Sequence, residues 1–140
     1  MTEQQRFIRE QLIPFIRRDS GKGFSMDYWI ANAETYFQPD QRPVCGTVCC
    51  IGGSIELLRK KLAYREEEGG LGRLIGLNEY EFEGLCYGWM GPGNENSRYV
   101  WPRNYRDNYR EAKTPAQQAN VACNLLEEIA EVGGAALEKL

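Results

Sequence analysis

The stretch TPAQQANVACNLLEEIAEVGG, from Thr114 to Gly134, commits the chain to a long helix with one dry face. Thr114 and Gln117 form a capping box, with Pro115 at the first helical position. Ala119, Ala122, Leu126 and Ile129 make a stripe that Cys123 and Val132 widen. Gln117, Asn120, Asn124, Glu127, Glu128 and Glu131 fall on the wet side, and Gly133 and Gly134 end the helix. Such a stripe has to be covered, and the rest of the chain supplies matching ones. Residues 3–18 carry Phe7, Ile8, Leu12 and Phe15 at helical spacing, with Pro14 expected to kink or split the helix near Ile13. SMDYWIANAETYF predicts a short helical segment capped by Ser25 and anchored by Trp29, Ile30 and Phe37. From Thr47, the residues Val48, Ile51, Ile55, Leu58 and Leu62 trace another stripe, with Arg59, Lys60 and Lys61 suited to its carboxyl end. NEYEFEGL offers an Asn78 cap with Glu81 three residues on, and Leu77, Phe82 and Leu85 facing inward.

Alternation of the strand type is sparse. The expected fold is therefore mainly α, a compact bundle of about four helices in a single domain over residues 1–140. A long loop rich in Gly, Asn and aromatics, beginning near residues 86–101, leaves room for one small hairpin. Apolar residues are 42% of the chain, enough for a core, and no apolar run approaches the ~20 residues of a membrane span. The first residues mix charges throughout, unlike a secretory signal, so the cytoplasm of a bacterial host is the expected location. A net charge of -3 argues against general nucleic-acid binding. The chain has no histidine, which removes the commonest general base and the commonest transition-metal ligand.

VCGTVCCIGGS, Val44 to Ser54, holds three of the five cysteines and permits several readings. A structural zinc site needs four ligands, here all sulfur or carboxylate. Cys45 and Cys50 lack knuckle spacing, and Cys86 and Cys123 stand singly elsewhere. A cysteine at a helix start can carry a lowered pKa, yet no histidine is present to act as its base. The preferred reading is packing, since free cysteine is a small and often buried residue. Gly52 and Gly53 each weaken a helix by ~1 kcal/mol relative to alanine. Their pairing predicts close approach of another backbone, an aromatic ring or a ligand. A thiol-dependent enzyme or cysteine–metal protein built on Cys45 to Cys50 is the rival reading. No cofactor is expected.

FSMDYWIANAE followed by CGTVCCIGG resembles a family of short uncharacterised proteins of bacteriophages and bacteria. Its pattern is a Met/Trp segment, a Cys-Gly-Thr start, a second cysteine five residues after the first, and a Gly-rich helix. LIGLNEYEFEGL and WPRNYRDNYREAKTPAQQANVA resemble its downstream half, so the likeness spans residues 24–129. On the matching positions, Trp29, Cys45, Gly46, Thr47, Cys50 and Gly53 are motif residues. Many of these proteins carry tryptophan where this chain has Ser54. The resemblance implies a phage or mobile-element accessory protein and supplies no chemistry.

NYRDNYRE, Asn104 to Glu111, is a four-residue near-repeat in the one locally basic part of the sequence. In a helix opened by Pro102, Tyr105 and Tyr109 share a face, while Arg103, Arg106 and Arg110 recur on an adjoining one. Arg98 and Lys113 flank them. Guanidinium forks bind phosphate and aromatic rings stack on bases, and the same residue types are enriched at protein interfaces. Arg98, Tyr99, Trp101, Arg103, Tyr105, Arg106, Tyr109 and Arg110 are therefore the candidate contact residues. The expected partner is a host bacterial protein or a small anionic nucleotide-like ligand, and a homo-oligomer is compatible with the composition. GGLGRLIG lacks phosphate-loop spacing, whereas the glycines and proline of GWMGPGNEN let that loop fold over a bound group. The expected function is non-catalytic sequestration of a bacterial cytoplasmic target.

Overall fold

The computed structural model describes residues 1–42, 47–62, 70–92 and 97–140. Its helices are α1 (residues 3–16), α2 (Ala33–Tyr36), α3 (Ile51–Lys61), α4 (Glu79–Tyr87), α5 (Arg103–Glu111) and α6 (Pro115–Val132). Short strands β1 (Ile30–Asn32) and β2 (Thr47–Cys49) pair antiparallel, as do β3 (Tyr99–Val100) and β4 (Glu138–Lys139). The protein is mainly α, as its stripes predict.

Helix α6 is the spine. Its Thr114–Gln117 capping box is formed on both sides, and Ala119, Ala122, Cys123, Leu125, Leu126, Ile129 and Ala130 are buried. Val132, expected to widen that stripe, is instead 58% exposed at the helix's last position. Helix α1 lies antiparallel against it. Gln5 donates to the Ala130 carbonyl (2.8 Å), Arg9 pairs with Glu127 and Glu131, and Arg17 donates to Asn120 (3.1 Å). Pro14 does not split α1. The middle of the helix, Phe7–Leu12, widens into a π-helix, and the Ile13 N–H donates to Ile8, five residues back. Proline lacks an N–H and its ring clashes with the carbonyl four residues earlier, so a wider turn accommodates it without a break.

The segment before α3 departs from its stripe. Thr47 to Cys49 form β2, and α3 begins only at Ile51, where the Cys50 sulfur accepts from the Gly53 N–H (3.4 Å). The earlier backbone groups are engaged sideways. Cys49 N–H donates to Gly23, Ser25 N–H to Cys49 and Cys50 N–H to Tyr28. These bonds also prevent the helix expected from Ser25. Ser25 makes a turn by accepting the Asp27 N–H (3.2 Å), Ile30 is 40% exposed on β1, and only α2 is helical. Arg18 ties this corner together, donating to the Phe15, Gly23 and Thr47 carbonyls while lying 3.8 Å over the Phe15 ring.

Helix α4 starts at Asn78 with the predicted capping box to Glu81. Among the described residues the loop after it holds no hairpin; Tyr99 and Val100 instead pair with Lys139 and Glu138 from the far end of the chain. Trp101 then enters the core. It is fully buried between α4 and α5, and its indole N–H donates to the Leu85 carbonyl (2.7 Å). Tyr109 meets Trp101, Trp89 and Phe24 edge-on, which fixes α5 over the amino-terminal half of the core.

Candidate functional site

Helix α5 has two faces because Tyr105 and Tyr109 fall on one side of it and Arg103, Arg106 and Arg110 on the adjoining one. Tyr109 points inward, buried, and its hydroxyl accepts the Met26 N–H (3.1 Å). Tyr105, half-buried on the same side, lies beside Glu128 of α6. Burial comes first in raising both phenols to about 12, with Glu128 adding to it at Tyr105; at Tyr109 the Met26 N–H opposes the rise and the Asp27 charge adds to it. Both rings stay neutral hydrogen-bonding groups, neither a base.

The adjoining face lines a cleft of about 750 Å³. Arg103, Arg106, Asp107 and Arg110, at positions i, i+3, i+4 and i+7, form one wall. Trp89 and Met90, from the turn after α4, also line it, with Met90 77% exposed. Asp27 and Gln118 complete the lining, and the Tyr109 ring edge forms part of it. Asp107 holds two guanidiniums on the helix surface, Arg110 at 2.7 Å and Arg103 at 4.0 Å. Arg106 is gripped from behind by Glu138 of β4 at 3.0 Å. Its Nε is buried and has no acceptor among the described residues.

Four of the candidate contact residues, Arg103, Arg106, Tyr109 and Arg110, thus share one cleft. The others lie elsewhere. Arg98 is exposed and lies 4.0 Å over the Tyr80 ring. Tyr99 is half-buried in β3, and Tyr105 faces α6. Trp101 is a core residue with no access to solvent; its place beside basic residues in sequence conceals that its indole N–H has a partner inside. Sequence reasoning missed Asp27 and Gln118. Trp89 and Met90 had a faint signal in the Gly/Pro punctuation of their loop.

The cysteine segment is built for packing. The close approach that Gly52 and Gly53 demand is made by Trp29. Its ring lies on Gly52, and a Cβ at Gly53 would sit 2.7 Å from the Trp29 carbonyl carbon. The indole donates to Glu56 (2.6 Å) and stacks on Tyr87 with ring centres 6.5 Å apart. Ser54 is fully buried, its hydroxyl donating to the Cys50 carbonyl (2.7 Å). Cys45 and Gly46 lie outside the described residues, and Thr47 is the first residue of β2. Burial is the main cause that raises the Cys50 thiol, outweighing the Gly53 N–H, and it raises Cys86 well above the ordinary range. An activated nucleophile requires the opposite shift. Cys123 sits apart, against the Ile13 carbonyl, and is pushed up to about 11 by burial. Among the described residues no three metal-ligating side chains gather at one point, and no helix is long and apolar enough to cross a membrane. No family model, curated protein or solved structure matches the chain.

Proposed function

We propose that this protein is a non-catalytic accessory binding protein of phage or prophage type. It occupies a small anionic, nucleotide-like ligand of the bacterial cytoplasm in the α5 cleft. The observation that carries the reading is a wall of three arginines that shares one cleft with Trp89. Guanidiniums supply forked donors for an oxyanion, and an indole offers a flat apolar surface for a base. The cleft volume of about 750 Å³ lies within the roughly 300–1,000 Å³ of small-molecule sites. Among the described lining residues there is no cysteine, serine or lysine, and Tyr109 is a hydrogen-bonded neutral phenol, a lining that favours holding over turnover.

The test is thermal unfolding with a panel of nucleotides. A ligand at 100 times its dissociation constant adds ~2.7 kcal/mol of stability. The gain should vanish in Arg103→Ala and Arg110→Ala, whose side chains are exposed and whose loss leaves the core intact. No shift across the panel overturns the small-ligand reading and leaves a host protein as the target, docked over exposed Met90 and Tyr87.

A further inference from the structure

The charge in the cleft is mixed. Three guanidiniums share the lining with two carboxylates, those of Asp27 and Asp107. Asp107 is spent on Arg103 and Arg110, and Glu138 on Arg106. Asp27 enters no ion pair among the described residues, although it lines the same space as the arginines. It is exposed, and its backbone is fixed on both sides: its own N–H donates to Ser25, and the Met26 N–H donates to Tyr109; the Ser25 hydroxyl reaches its Oδ2 at 3.5 Å, which leaves each carboxylate oxygen a lone pair for a ligand. Tyr109 in turn meets the Trp89 ring edge-on at 5.3 Å. Near Tyr109 lie an aromatic surface and an acceptor-only carboxylate, and the guanidiniums of Arg110, Arg106 and Arg103 follow along α5 towards its start.

A matching ligand presents two adjacent donors on a flat ring at one end and an oxyanion at the other. Resting on the nucleotide reading above, we infer that Asp27 reads the base and that the preferred ligand is a guanine nucleotide. Guanine alone among the common bases places an N–H and an NH₂ side by side, which the two carboxylate oxygens accept together. Adenine and cytosine set one amine beside a ring-nitrogen acceptor, and uracil flanks its N–H with two carbonyls. Each turns a lone pair towards the carboxylate.

Calorimetric titration with guanosine, inosine and adenosine monophosphates tests this, with inorganic phosphate as the base-free probe. The guanosine form should bind roughly tenfold to a hundredfold tighter than the adenosine form, the span expected of one bidentate contact. Inosine, which lacks the amine, should fall between. Asp27→Asn should erase guanine's advantage over adenine, since an amide turns a donor towards one of guanine's two donors, while adenosine monophosphate and phosphate bind no less tightly than before. Equal affinity for all three bases, lost together in Arg103→Ala, overturns the guanine assignment and leaves the cleft reading standing. A guanine preference that persists in Asp27→Asn overturns Asp27 as its reader. Binding of none of the probes overturns both.

Discussion

Single buried protons set how this protein answers to alkali. Cys123 is inaccessible in the core, and burial moves its thiol from 9.0 to about 11, against the pull of the Arg17 charge. Tyr109 is moved from 10.0 to about 12, again chiefly by burial. Above pH 9 the unfolded chain releases its thiol proton while the folded one keeps it, so the unfolded state binds fewer protons and stability falls as pH rises. The stabilisation is whole below pH 9. The Cys123 part is lost between pH 9 and about 11, and the Tyr109 part between pH 10 and about 12. Melting temperature should thus hold level up to pH 9 and decline beyond it. In Cys123→Ala the slope between pH 9 and 11 should become shallower, the remainder coming from the buried Cys50 and Cys86 thiols, while the loss due to Tyr109 above pH 10 remains. An unchanged slope would show that the thiol titrates alike in both states.

At the scale of elements, capping decides where helices begin. Thr114 accepts the Gln117 N–H at 3.1 Å while Gln117 returns a bond to the Thr114 N–H at 3.2 Å. Thr114→Ala should cost roughly 1 kcal/mol, a fall in Tm of about 4 °C, with cleft affinity unchanged. Differential scanning calorimetry reads the first and ligand titration the second. These caps were legible in sequence because their partners sit three residues apart, and so were the stripes of α1, α4 and α6. The start of α3 was not. Val48 lies in phase with Ile51 and Ile55, but its strand is set by residues about twenty positions upstream, with Ala31 opposite Val48 and Gly23 accepting from Cys49. A two- or three-residue strand leaves no periodic trace, and its existence depends on a partner that local patterning does not specify.

For the whole molecule, the same distinction separates the readable part of the cleft from the rest. Arg103, Arg106 and Arg110 share a wall because a single helix spaces them, so sequence alone brought them together. Trp89 and Asp27 reach them only through the packing of two loops on Tyr109, a tertiary event. Trp101 shows the converse, a residue amid surface chemistry that the fold draws inside. One further link crosses the full length of the second half of the chain. Strand β4 is held by two residue pairs to β3, by the Leu140 N–H on the Arg98 carbonyl (2.8 Å), and by Glu138 on Arg106. The last few residues are therefore fastened to the wall of the cleft. A partly exposed ion pair contributes about 0.2–1 kcal/mol, so Arg106→Met should speed amide hydrogen exchange across residues 138–140 by up to about fivefold and leave α6 protected as before. The tail's exchange rate then serves as a gauge of what Arg106 is holding, read without any label on the ligand.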